Sequence, residues 1–130
     1  MVGPCASGKS LLAELLREEG LAAYTVCQEH SGVSYLFRLR DPDAVVFLDV
    51  SYEHLRTRRR IAWGPQSLAR QKIRLERARR ECDVYVLTDG LSPAQVFEQV
   101  VQALGLPSEV RADAVTRHWE DRGTPELSRE

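Results

Sequence analysis

Apolar residues in this chain fall into short continuous runs and into helical stripes, and the two patterns take turns. Leu11, Leu12, Leu15 and Leu16 recur on one face of a 3.6-residue repeat and predict a helix that Gly20 stops. Residues 21–27 (LAAYTVC) read as a short strand, and 32–40 (GVSYLFRLR) as a short helix or an irregular packed segment. Residues 44–50 (AVVFLDV) are continuous and β-branched, as in a parallel strand covered on both faces. Ser51 is placed to cap a helix with Glu53 in its first turn and Leu55 inside, running into the arginines of 56–60. Trp63, Gly64 and Pro65 break it, and 66–81 resume as a helix with Leu68, Leu75, Ala78 and Cys82 on one face. Residues 83–88 (DVYVLT) predict a further buried strand. Ser92, Pro93 and Gln95 then match a capping box with proline at the first helical position, opening a stripe of Val96, Phe97, Val100, Val101 and Leu104 that Gly105 and Pro107 end. Alternation of this kind, with few hairpin signals, predicts an α/β domain whose short, mostly parallel sheet has right-handed crossovers and flanking helices. Residues 1–106 form the expected domain; 107–130 are polar and are expected to be a poorly ordered tail.

The junction before the first helix carries the strongest chemical signal. Gly3, Pro4, Cys5, Ala6, Ser7, Gly8, Lys9 and Ser10 satisfy G-x-x-x-x-G-K-[ST] at every constrained position. A loop that wraps a polyphosphate must bring main-chain N–H groups close to the anion, and Gly3 and Gly8 permit that approach because they lack Cβ. Lys9 places a point charge near the β and γ phosphates, the Ser10 hydroxyl is set to ligate Mg²⁺, and the helix that follows offers its N-terminal N–H groups. The bland alternative is a Gly-rich turn capping an ordinary helix. Only Met1 and Val2 precede the loop, beside the usual length of about five residues for the strand that feeds it, so either the start of that strand is missing from the chain or the strand is a stub.

In open α/β sheets ligands gather at the carboxyl ends of strands. Glu29 and His30, after the expected strand at 21–27, are therefore candidates for substrate contact, with Glu29 as base or as partner of Mg²⁺-bound water. Asp49, ending the run at 44–50, is the candidate second acid for the metal shell. A solvated turn and an ordinary strand end are the alternatives. Three consecutive arginines, Arg58, Arg59 and Arg60, cannot all point one way on a helix, so one or two of them can reach a phosphate. Residues 56–80, two arginine-bearing helices about a Gly-Pro hinge, suit a small closing flap, although 70–80 read more simply as a solvated basic surface.

Composition narrows the class. With 130 residues and a formal net charge of −1 the chain suits one domain and gives no support to general nucleic-acid binding. Its 3 cysteines, Cys5, Cys27 and Cys82, are far apart and in no metal-ligand spacing, as expected for reduced thiols in a cytoplasmic protein. No signal-peptide pattern and no apolar run near the roughly 18 residues of a membrane span is found, so no membrane partner is expected.

Three places, GPCASGKS, LDVSYEHLRTRRR and VYVLTDGLSPAQV, together resemble the small P-loop kinases such as adenylate, shikimate and gluconate kinases, over about the first hundred residues. The resemblance implies a three-layer P-loop NTPase fold and a nucleoside triphosphate, ATP with Mg²⁺, as cofactor. It places Arg58 near the ATP and implies backbone contacts from Asp89, Gly90 and Leu91 to the adenine. Between the second strand and the lid-side strand only residues 31–43 stand where those kinases carry an acceptor-binding region, and the lid is reduced to a few residues around Trp63. The expected activity is transfer of the γ-phosphoryl group to a small acceptor, a nucleotide, sugar or acid, by a monomer or weak homodimer. Lys9 and Arg58 would neutralise charge and Glu29 would orient or deprotonate the acceptor. Nucleotide hydrolysis, with Asp49 holding the metal, and a nucleotide-responsive binding module without turnover are the rival expectations, and ATP and GTP are not separated.

Overall fold

Two parallel strands carry the middle of the molecule: β1 (Val46–Asp49) and β2 (Val84–Leu87), with Val46 opposite Val84 and Asp49 opposite Leu87. The computed structural model describes residues 1–58 and 63–105; the expected tail at 107–130 and the arginines Arg59 and Arg60 lie outside the described residues. Among the described residues four helices flank the strands: α1 (Lys9–Glu18), α2 (Tyr52–Arg58), α3 (Pro65–Glu81) and α4 (Pro93–Ala103).

β1 is buried along its whole length, as its unbroken apolar pattern predicts. Its side chains alternate between two cores. Val46 and Leu48 join Val84, Val86 and the leucines of α1, with Val96, Phe97, Val100 and Val101 of α4 packed on the same face. Phe47 points the other way, into a cluster with Val2, Phe37, Val45 and, from α3, Leu75 and Ala78. The result is three layers, α1 and α4 on one side and α3 on the other. β2 departs from the expected double burial: Tyr85 is 43% and Leu87 50% exposed, because α3 covers Phe47 and leaves the outer half of that face open.

The stub is real. Val2, 1% exposed, donates its N–H to the Val46 carbonyl (2.9 Å) and accepts from Leu48 N–H (2.9 Å), a single parallel bridge opposite Phe47. The strand expected at 21–27 does not form as a regular element. The segment is tied to Met1, through Val26 N–H to the Met1 carbonyl (2.9 Å) and the Met1 ammonium to the Tyr24 carbonyl (2.7 Å). Residues 32–40 resolve into the packed alternative, with one short 3₁₀ turn (Leu36–Arg38) that buries Phe37.

Helix signals were obeyed closely. Gln95 N–H donates to Ser92 Oγ (3.2 Å) while Ser92 N–H donates to Gln95 Oε1 (2.8 Å), the reciprocal capping box, so α4 starts where expected. Gly20, at φ 87°, ends α1. Among the described residues no helix is long and apolar enough to cross a membrane.

Candidate functional site

The loop at residues 3–10 connects the stub strand to α1 through a run of left-handed backbone. Gly8 caps α1 at φ 99° and ψ 14°, and Ala6 takes φ 66° without the freedom of glycine. Such a conformation is uphill for alanine by about 1 kcal/mol. Burial holds it: Ala6 is 1% exposed in a cluster with Val50, Leu55 and Leu68, and half-buried Trp63 packs on the same cluster. Gly3 answers a different demand. A Cβ there would stand 2.1 Å from the Leu48 carbonyl oxygen, so only glycine lets the loop leave the sheet this close to β1.

Lys9 lies inside this loop and is 3% exposed. Its ammonium donates to the Gly3 carbonyl (2.7 Å), the Pro4 carbonyl (3.3 Å) and Glu29 Oε2 (2.5 Å). Glu29 is equally buried at 3% and sits on a 3₁₀ turn (Gln28–His30). A buried ion pair of this kind is costly to desolvate and is weak evidence for stability. Two buried oxygens beside it have no hydrogen-bond partner, Ser7 Oγ and Glu29 Oε1. Unpaired buried acceptors and hydroxyls are rare, and each is a place where water or another polar group can bond.

What holds the Glu29 turn and the loop in register is polar. Gln28, fully buried, donates its side-chain amide to the Val33 carbonyl (2.7 Å) and accepts Phe37 N–H (3.0 Å), which ties the turn to the segment behind it. From α3, Gln71 accepts Cys5 N–H (2.9 Å) and Arg74 donates to the Glu29 carbonyl (3.3 Å). The basic face of α3 is largely solvated, as expected, with Arg70, Lys72, Arg74, Arg79 and Arg80 exposed and Arg77 with Glu81 and Arg80 with Glu76 as surface pairs, while Gln71 and Arg74 also tie the helix to the loop and to the Glu29 turn. Neither glutamine was singled out by sequence. Gln71 interrupts an apolar stripe between Leu68 and Leu75 and had a legible signal there; Gln28 had none.

The remaining candidates divide. Ser10 is exposed in the first turn of α1. Asp49 is buried and already engaged: Oδ1 accepts Val50 N–H (2.9 Å) and lies 3.5 Å from Lys72 Nζ, while Oδ2 accepts the Tyr85 hydroxyl (2.6 Å). Burial, then the Asp49 hydrogen bond and charge, push the Tyr85 hydroxyl above its ordinary pKa, so it remains a donor. Asp89 accepts Ser51 N–H (2.9 Å) and faces His54 Nδ1 at 3.3 Å, binding the turn after β2 to the start of α2. Gly90 is left-handed at φ 74° with open space around its Cα, and Leu91 packs partly against the α1 and α4 core. His30 is exposed, with Nε2 3.9 Å from Glu29 Oε2. Arg58 ends α2, and its side chain lies outside the described residues, as do the arginines that follow. Loop, Lys9, Glu29 and α3 therefore form one connected cluster, whereas Asp89 serves the junction with α2.

Comparison with protein-family models, with curated proteins and with solved structures finds no match for this chain. The chemistry of the site rests on its own geometry.

Proposed function

We propose that this chain is an ATP-binding protein of the three-layer P-loop kinase fold that transfers the γ-phosphoryl group of Mg-ATP to a small-molecule acceptor. The observation that supports this most is the buried Lys9 ammonium, held by the carbonyls of Gly3 and Pro4 inside a loop that opens a helix. Phosphoryl transfer asks little covalent chemistry of a protein and much positioning and charge neutralisation. The loop N–H groups and the start of α1 cradle the phosphates, with the turn at Asp89, Gly90 and Leu91, of which Gly90 is exposed, beside the base. Lys9 meets the developing charge on the β and γ phosphates, and Arg58 is assigned the same task from the end of α2. Glu29 takes the acceptor proton on its unpaired oxygen. Of the two residues assigned to Mg²⁺, Ser10 fits through its exposed hydroxyl; Asp49 fits only by exchanging Tyr85 or Lys72 or by acting through water. The metal supplies charge neutralisation at the phosphates.

A second reading, a nucleotide-responsive module without turnover, draws on the commitment of Glu29 to Lys9 and of Asp49 to Tyr85 and Lys72. ADP release under an acceptor panel separates the two. Release that depends on acceptor supports transfer, release without acceptor supports hydrolysis, and tight Mg-ATP binding with no release under any acceptor supports the module. Arg58→Ala is expected to lower turnover about a hundredfold if it meets transition-state charge; an unchanged rate returns it to solvent.

A further inference from the structure

We infer that the chain's own C-terminal segment closes an apolar cavity at the end of the sheet away from the loop, with Trp119 as the side chain that fills it. The cavity holds about 450 Å³. Its walls include Val45 and Val46 at the start of β1, Leu16 in the last turn of α1, Leu104 just after α4, and Ala23 and Tyr24 of the segment tied to Met1. Because α1 begins at the loop and β1 ends beside it, Lys9 and Glu29 lie toward the other end of the sheet, and the cavity is separate from the proposed phosphate site. Apolar walls that face water give up the close contacts of a packed interior, so an apolar occupant is favoured there.

The first reason to name the segment is where the chain runs. Leu104 stands in the cavity wall and Gly105, at φ 77°, follows it, so residues 106–130, which lie outside the described residues, begin beside the opening. At up to about 3.3 Å per residue, the chain from Gly105 to Trp119 can span several times the width of such a cavity. A tether of this length gives the segment a local concentration on the order of millimolar, which a separate partner would have to exceed.

The second reason is chemical fit. Trp119 is the one Phe, Tyr or Trp in residues 106–130, an exception to the polarity on which the expectation of a poorly ordered tail rests. An indole is large and apolar and carries a single N–H donor that needs an acceptor once buried. The Tyr24 hydroxyl is buried with no hydrogen-bond partner among the described residues, and its oxygen can accept that N–H. Arg40 lies in the same wall with its guanidinium 3.9 Å from the Tyr24 ring centroid, and a guanidinium can stack on a second ring with its other face. Charges at the mouth are mixed, Asp41 and Asp43 against Arg40, and so are those flanking Trp119, Arg117 and Arg122 against Glu120 and Asp121. Opposite signs can therefore meet as the indole enters.

The test reads residue 119 alone, as the difference in tryptophan emission between the full chain and Trp119→Phe, with Trp63 common to both. That difference spectrum should lie to the blue of N-acetyltryptophanamide, resist quenching by acrylamide, and stay the same on dilution. Trp119→Ala should lower the melting temperature by about 4 °C or more. Ala44→Phe places a ring at an exposed position of the cavity wall; it should shift the emission of residue 119 to the red while the far-ultraviolet circular dichroism is unchanged. Emission that matches the free amide, a Trp119→Ala variant that melts with the parent, or emission indifferent to Ala44→Phe overturns the inference. A blue shift lost on dilution also overturns it, because Trp119 of one copy would then be covered by a second copy.

Discussion

On one face of the sheet the apolar side chains of α1 and α4 meet Val46, Leu48, Val84 and Val86. On the other, α3 packs Leu75 and Ala78 near Phe47 but also sends Gln71 to the loop, Lys72 to Asp49 and Arg74 to Glu29. Both faces exclude water from the same strands, and α3 adds polar partners for the loop and the Glu29 turn to that packing. The α4 face can therefore be altered with consequences for stability alone, whereas the α3 face joins packing to the site, and a change there should reach ligand binding.

The largest effect belongs to the apolar face. Phe97→Ala empties a fully buried ring position in α4 and should cost about 3–5 kcal/mol in urea unfolding. If a large loss there also abolished ligand binding under conditions where the variant remains folded, the two faces would not be separable.

Next is a pH dependence at the seam between the layers. Burial, and then the charge of Lys9, lower the Met1 ammonium from 8.0 to about 6. Between those values the unfolded chain holds a proton that the folded chain has released, so stability rises with pH across that window. Below it both states are protonated and the burial penalty is fully present. The gain from pH 6 to pH 8 is expected to reach about 2–3 kcal/mol. Thermal melts over that range read it; a flat profile would mean that the amine is solvated and that the stub is not packed as described.

A smaller effect tests the α3 face. Gln71→Leu removes the acceptor of Cys5 N–H and should cost about 1–3 kcal/mol. Unlike Phe97→Ala, it should weaken Mg-ATP binding in the fully folded protein, because the bond it removes positions the loop. A stability loss with unchanged nucleotide affinity would make Gln71 a packing residue and dissolve the contrast between the faces.

Much of this arrangement was legible in the chain. The capping box at Ser92 and Gln95, the stripe of α4, the run at Val46–Asp49 and the glycines of the loop each depend on neighbours in sequence, and local rules found them. What escaped depends on partners far along the chain. Residues 21–27 had strand-like composition, but a strand needs a ladder, and here the bonds run to Met1 from Val26 and Tyr24 without forming one. Tyr85 and Leu87 belong to an apolar run, yet their exposure was decided by how far α3 reaches. Glu29 was placed near the loop from its position after an apolar run; its pairing with Lys9 and the two glutamines that brace it lie beyond any local pattern.

The central claim is that the loop at residues 3–10 closes around a polyphosphate with Lys9 beside it. Lys9→Ala alone would leave Glu29 buried without its counter-charge, so the sharper comparison is with Lys9→Ala combined with Glu29→Gln, which removes both charges. In a thermal-shift titration with Mg-ATP, the parent chain at about a hundred times its dissociation constant should gain roughly 2.7 kcal/mol, and the double variant should gain nothing. No shift in the parent, or an equal shift in both, contradicts the account.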